Sequence, residues 1–136
     1  MQSLPTPANS SSRLCFVTGV TRMIVVSPSA PLRGVLQGLV SDAESVQVVG
    51  ALAGAEELED WLFWDRGGWN LAVVDSRSDA EKVVADLSRE PVPGRIIVLV
   101  DALTPTAVEK YLALGVTAVV EKGDTVALRD RLSTPW

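Results

Sequence analysis

The sequence predicts an α/β protein built on one doubly wound, parallel, five-stranded sheet. Three observations predict it. Short apolar runs rich in β-branched residues recur along the chain: MIVV (23–26), LAVV (71–74) and IIVLV (96–100). Such runs read as strands buried on both faces. Segments with apolar residues at helical spacing alternate with them. Each strand end is followed by turn or helix-start chemistry, as in SPSAP (27–31) and DALTP (101–105). Alternation of this kind means a parallel sheet with helices on both sides, joined by right-handed crossovers.

The elements follow in order. Residues 1–13 are rich in Ser, Pro and Thr and read as a tail. Residues 14–20 read as an extra strand or as an apolar arm on the domain. FVTG (16–19) resembles the opening of a dinucleotide-binding turn, but Val20, Thr21 and Arg22 stand where its glycines are needed. The regular pattern starts at Met23, so the expected domain is 23–132, with 1–22 and 133–136 as tails. After MIVV, Ser29 and Pro31 open a helix with Leu32, Val35, Leu36, Leu39 and Val40 on one face. VQVVGAL (46–52) is strand-like. Residues 56–64 form a helix with Leu58, Trp61 and Leu62 on one side and Glu56, Glu59 and Asp60 largely on the other. Gly67 and Gly68 end it. The strand at 71–74 follows. Ser78 and Glu81 make an S-x-x-E capping box for a helix with Val83, Val84 and Leu87. Pro91, Pro93 and Gly94 break the chain before the strand at 96–100. Thr104 and Pro105 cap a helix with Val108, Tyr111 and Leu112, which stops at Gly115. TAVVEK (117–122) is the fifth strand, and Asp124 caps a last short helix with Leu128 and Leu132.

Composition excludes several function classes. The chain has 136 residues, enough for one domain with a real core. Its net charge of −5 argues against this chain gripping nucleic acid or an anionic membrane by itself. One cysteine and no histidine leave no disulfide within the chain, no Cys/His zinc site and no imidazole base. Cys15, beside Phe16 and Val17, reads as a buried, inert thiol. No apolar stretch reaches the roughly 20 residues of a membrane span. The N-terminus has no secretory signal pattern, so the expected compartment is the cytoplasm.

In an open parallel sheet the site lies beyond the carboxyl ends of the strands. There the chain offers Ser27–Pro28–Ser29, Asp75–Ser76, Val100–Asp101 and Glu121–Lys122. Over residues 23–132 it resembles a response-regulator receiver domain, closest in flavour to receivers of helix-turn-helix transcription factors. The stretches that carry the likeness are VQVVGALAGAEELEDWL, NLAVVD, RIIVLVDA and ALGVTAVVEKGD. The resemblance implies a flavodoxin-like (βα)5 fold with strand order 2-1-3-4-5. It puts Asp75 at the phosphoacceptor position and Lys122 at the position of the lysine that contacts the phosphoryl group. Ser27 and Pro28 fall where the family has two Mg²⁺-holding acids, and Val100 falls where it has a Thr or Ser switch residue.

These departures weigh on function. Mg²⁺ wants an octahedral set of oxygens, usually including carboxylates. Asp75 supplies one carboxylate, Ser27 a neutral oxygen and Pro28 no side-chain ligand, while Asp101 lies one residue past the expected place. Val100 cannot hydrogen-bond a phosphoryl oxygen. A fixed Asp75–Lys122 ion pair is therefore the favoured reading, over phosphorylation. The expected function is that of a pseudo-receiver: no catalytic residues, no cofactor, and action through a protein partner or a homodimer. Its expected surface is the fourth helix, fifth strand and fifth helix. The alternatives are a phosphorylatable receiver using Asp75 and Mg²⁺, and a small-ligand sensor using the strand-end pocket. Tyr111, Trp64 and Trp69 are the candidate interface aromatics, with core or loop packing as the competing reading for each.

Overall fold

The computed structural model describes residues 21–40, 45–64, 68–90 and 94–133. Residues 1–13, the segment 14–20 with Cys15, Gly67, Pro91, Pro93 and residues 134–136 lie outside the described residues, while Ser133, expected in the C-terminal tail, is the last residue of the final helix. Ten elements alternate as anticipated: β1 (Thr21–Val26), α1 (Ala30–Val40), β2 (Val46–Leu52), α2 (Ala55–Trp64), β3 (Leu71–Asp75), α3 (Ala80–Ser88), β4 (Arg95–Val100), α4 (Pro105–Ala113), β5 (Ala118–Glu121) and α5 (Thr125–Ser133). All strand pairs are parallel, in the order β2-β1-β3-β4-β5.

The period-2 alternation of the strands divides the core into two layers. Ile24, Val26, Ala72, Val74, Ile96, Val98 and Val100 point to one face, where they meet Leu58 of α2, Val83, Val84 and Leu87 of α3, and Tyr111 of α4. Met23, Val25, Leu71, Val73, Ile97 and Leu99 point to the other, against Leu36 and Val40 of α1 and Leu128 and Leu132 of α5. Every residue of β3 is buried, as a central strand covered on both faces requires. The edge strand β2 is only partly covered.

Several local expectations are corrected. The sheet begins at Thr21, two residues before Met23. The Thr21 amide donates to the Ser45 carbonyl at 2.6 Å and the Arg22 amide to Asn70 Oδ1 at 2.7 Å, so polar residues extend the strand that the apolar run marks. Val35 is half exposed, because the buried stripe of α1 narrows to Leu36 and Val40. Ser78 does not cap α3. Its hydroxyl turns back to the Asp75 carbonyl at 2.6 Å, and Asp79, in the left-handed region at φ 59°, opens the helix without a side-chain cap. Other start signals hold: Thr104 Oγ1 accepts from the Ala107 amide, Asp124 Oδ1 from the Ala127 amide and Ser29 Oγ from the Leu32 amide.

Of the three candidate interface aromatics, two belong to the core. Tyr111 is buried on the stripe of α4 that faces the sheet. Trp69 is 7 % exposed. Its ring lies on Gly94, where a β-carbon would sit 2.5 Å from Trp69 Cζ3, so the absent side chain makes room for the indole. Trp64 alone is exposed, at 76 %. Among the described residues no helix is long and apolar enough to cross a membrane.

Candidate functional site

Strand parity and register build the site. Val26 pairs with Val74, so the next residues, Ser27 and Asp75, stand side by side. Asp75 pairs with Leu99, and Val100 pairs with Glu121, which aligns Asp101 with Lys122 one step on. Ser27, Asp75, Asp101 and Lys122 continue the alternation of the α1–α5 face. Four adjacent strand ends thus deliver four polar side chains to one line. Val100, on the opposite parity, is buried in the core on the α2–α4 face.

Asp75 is 2 % exposed and its carboxylate is satisfied on both oxygens. Oδ2 accepts from the Ser27 hydroxyl at 2.8 Å. Oδ1 accepts from the Arg77 backbone amide at 2.9 Å and pairs with Lys122 Nζ at 2.6 Å. Burying a carboxylate costs several kcal/mol unless charge and hydrogen bonds offset it, and here three donors do. Ser27 is fully buried. Its hydroxyl oxygen also accepts from the Ser29 amide at 3.1 Å, and its carbonyl accepts from Arg33 Nη1 at 2.6 Å. The expected Asp75–Lys122 pair is thus present.

Two further charges complete a chain that sequence reasoning did not assemble. Lys122 Nζ also meets Asp101 Oδ1 at 2.8 Å, and Asp101 Oδ2 accepts from Arg77 Nε at 2.9 Å. The order Asp75–Lys122–Asp101–Arg77 alternates in sign along its length. Arg77 was not singled out, and Asp101 was weighed only as a metal ligand. The available signal is positional: Asp101 is two residues after Leu99, which pairs with Asp75, and Arg77 is two residues after Asp75 itself. Electrostatics follow the contacts. Burial pulls the Lys122 ammonium down, but its hydrogen bonds to Asp101 and Asp75 outweigh this and hold it above the usual lysine value. Hydrogen bonds from Lys122 and then Arg77 hold the Asp101 carboxyl below the usual aspartate value.

Above this chain lies an open cleft of about 390 Å³ lined by Pro28, Ser29, Leu32, Asp75, Arg77, Asp101 and Lys122. Its donor set does not fit the Mg²⁺ of receivers. Asp75 already accepts three hydrogen bonds, Ser27 gives its proton to Asp75, Pro28 offers only its backbone carbonyl, and Lys122 and Arg77 hold the two lining carboxylates in ion pairs. Among the described residues no three His, Cys, Asp or Glu side chains converge to hold a metal ion.

No protein-family model and no curated protein matches the sequence. Solved structures do. The isolated receiver domain of RcsB from Salmonella enterica serovar Typhimurium, in its apo form, superposes with TM-score 0.72 at 20 % identity, covering 83 % of this chain and 85 % of that one. The receiver domain of the putative response regulator NarL from Mycobacterium tuberculosis superposes with TM-score 0.66 at 21 % identity, covering 85 % and 98 %. RcsB in its DNA complex matches with TM-score 0.72 at 19 % identity over 84 % of this chain. This chain spans only 59 % of the RcsB chain in that complex. The flavodoxin-like sheet, its 2-1-3-4-5 order and these likenesses lead to one conclusion: the chain has the fold of response-regulator receiver domains.

Proposed function

We propose that the chain is a pseudo-receiver, a signalling module that acts by binding protein while its phosphoacceptor position stays locked in an ion pair. One observation carries the reading: the Asp75 carboxylate is buried and bonded to Ser27, Arg77 and Lys122 at once. A nucleophile for phosphoryl transfer needs a free oxygen in line with the donor and a metal to neutralise the developing charge. Asp75 has donors on both oxygens, and its neighbours are a poor set of Mg²⁺ ligands. The buried Val100 has no hydroxyl to sense a phosphoryl group.

The partner is a protein, either a second copy or a regulator, reached through α4, β5 and α5. The exposed Leu112 and Val126 of α4 and α5 give that side apolar contact area. RcsB offers a parallel, having been solved as dimers bound to DNA. The setting is bacterial signal transduction or transcriptional control in the cytoplasm, with any DNA contact made by another domain or protein.

The test is incubation with Mg²⁺ and acetyl phosphate, or with beryllofluoride, followed by intact mass and tryptophan fluorescence. The expected result is no adduct and no spectral change. An adduct that disappears in Asp75→Ala would overturn the reading in favour of a phosphorylatable receiver.

A further inference from the structure

The outer end of α2 carries a second cleft, of about 430 Å³, lined by Leu52, Glu57, Asp60, Trp61 and Trp64. It lies beside the edge strand β2, at the opposite edge of the sheet from β5. Its floor is apolar and its rim is acidic. Trp64 is 76 % exposed and Phe63 66 %, and the two rings meet edge to face with centroids 5.0 Å apart. Large aromatics held this far out of the core are the residue class that dominates binding hot spots.

Among the described residues the charged side chains that line the cleft beside Trp64, Glu57 and Asp60, have one sign. The helix AEELEDWLFW bears four carboxylates and no cation. Glu59 is paired with Lys82 of α3 at 2.8 Å. Glu57 accepts from the Ala53 amide at 3.1 Å and has no ion-pair partner among the described residues. Glu56 and Asp60 have no ion-pair partner among the described residues. The aromatic turn also sits at the C-terminal, negative end of the helix dipole, and no basic residue occupies that last turn.

From this we propose that the α2 cleft docks a basic protein segment, with an arginine guanidinium stacked on Trp64 and paired with Asp60 or Glu57. Guanidinium is the cation that both stacks on an indole face and forks onto a carboxylate. The acidic rim repels nucleic acid and anionic lipid. A symmetric contact between two copies through this face would oppose like charges. The inference concerns α2 and β2 and does not depend on whether Asp75 is locked.

The test uses a fluorescently labelled peptide of alternating arginine and leucine, and its counterpart with glutamate for arginine, followed by anisotropy on the full chain. The arginine peptide should bind, more weakly as salt rises. Trp64→Ala and Asp60→Lys should each weaken binding about tenfold or more, with the melting temperature unchanged. Three results would overturn the proposal: equal binding of the glutamate peptide, binding that ignores both substitutions, or no binding at about 1 mM peptide. Sedimentation equilibrium supplies a fourth. A dimer that Trp64→Ala dissociates would give the cleft to a second copy instead.

Discussion

The strand-end cleft and the α2 cleft have similar volumes, about 390 and 430 Å³, and opposite chemistry. Each of the four charged side chains that line the strand-end cleft has found its partner inside the chain. Asp75, Lys122, Asp101 and Arg77 alternate in sign and neutralise one another. On α2 the carboxylates of Glu56, Glu57 and Asp60 stand without cations among the described residues, next to aromatic rings left in water. Position in the fold and readiness to bind have therefore parted company. Where this architecture puts its ligands, the lining charges are paired with one another below an open cleft, while a helix flank at the sheet edge carries carboxylates without cations among the described residues.

The comparison breaks most visibly if the strand-end network proves dispensable. Lys122→Ala leaves the buried Asp75 without its cation and should cost about 3 kcal/mol, the usual loss when one member of a buried pair is removed. Urea unfolding checks this, and a midpoint equal to the parent's would mean that the Ser27 and Arg77 bonds suffice. Gly50→Ala acts on the other cleft. The new β-carbon would lie 2.9 Å from Trp61 Nε1 and 3.4 Å from Ile24 Cγ2, so the indole must shift. The expected cost is about 1 kcal/mol, with an altered tryptophan emission spectrum as the signature.

A smaller effect comes from pH. Lys122 has a raised pKa when folded, so its contribution is complete below the ordinary lysine value of 10.5 and is lost as pH climbs through the folded value. Asp101 has a lowered pKa, so its contribution is present above the ordinary aspartate value of 3.8 and is lost as pH falls through the folded value. Melting temperature should be flat between these limits and fall beyond each. Asp101→Asn should make the acid limb shallower, by a modest amount because that carboxylate faces water. The smallest effect is on the stability of Trp64→Ala, which should stay within about 0.5 kcal/mol of the parent because the ring is solvent-exposed. A larger loss would make Trp64 a packing residue and erase the contrast between the clefts.

Much of the architecture was legible because strand period and helix period are properties of sequence alone. The span 46–52 of β2 and the starts of α4 and α5 at Thr104 and Asp124 follow from apolar runs and capping oxygens. What failed depended on tertiary choice. Ser78 had two uses, helix cap or turn, and the Asp75 carbonyl won it. Tyr111 packs in the core, its favoured reading, whereas pattern alone leaves Trp69 open between loop and surface until Gly94 provides the gap it fills. In the site, Asp75 and Lys122 were legible through the resemblance, whereas the joint role of Asp101 and Arg77 requires knowing both the β3–β4 and the β4–β5 register. Pattern alone places each residue on a strand end but does not say which ends lie level.

Lys122 follows the shortest strand, and its own amide closes onto the Val100 carbonyl at 2.9 Å. Its side chain reaches past β4 to Asp75 on the wholly buried β3. The final βα unit, a four-residue edge strand and a helix seated by Leu128 and Leu132, is the part of the sheet with least to hold it. Fraying of that unit withdraws the lysine and strands a carboxylate in the interior. The expected consequence is that opening of this unit is coupled to the centre of the sheet, so that β5 amides exchange hydrogen as slowly as those of β3.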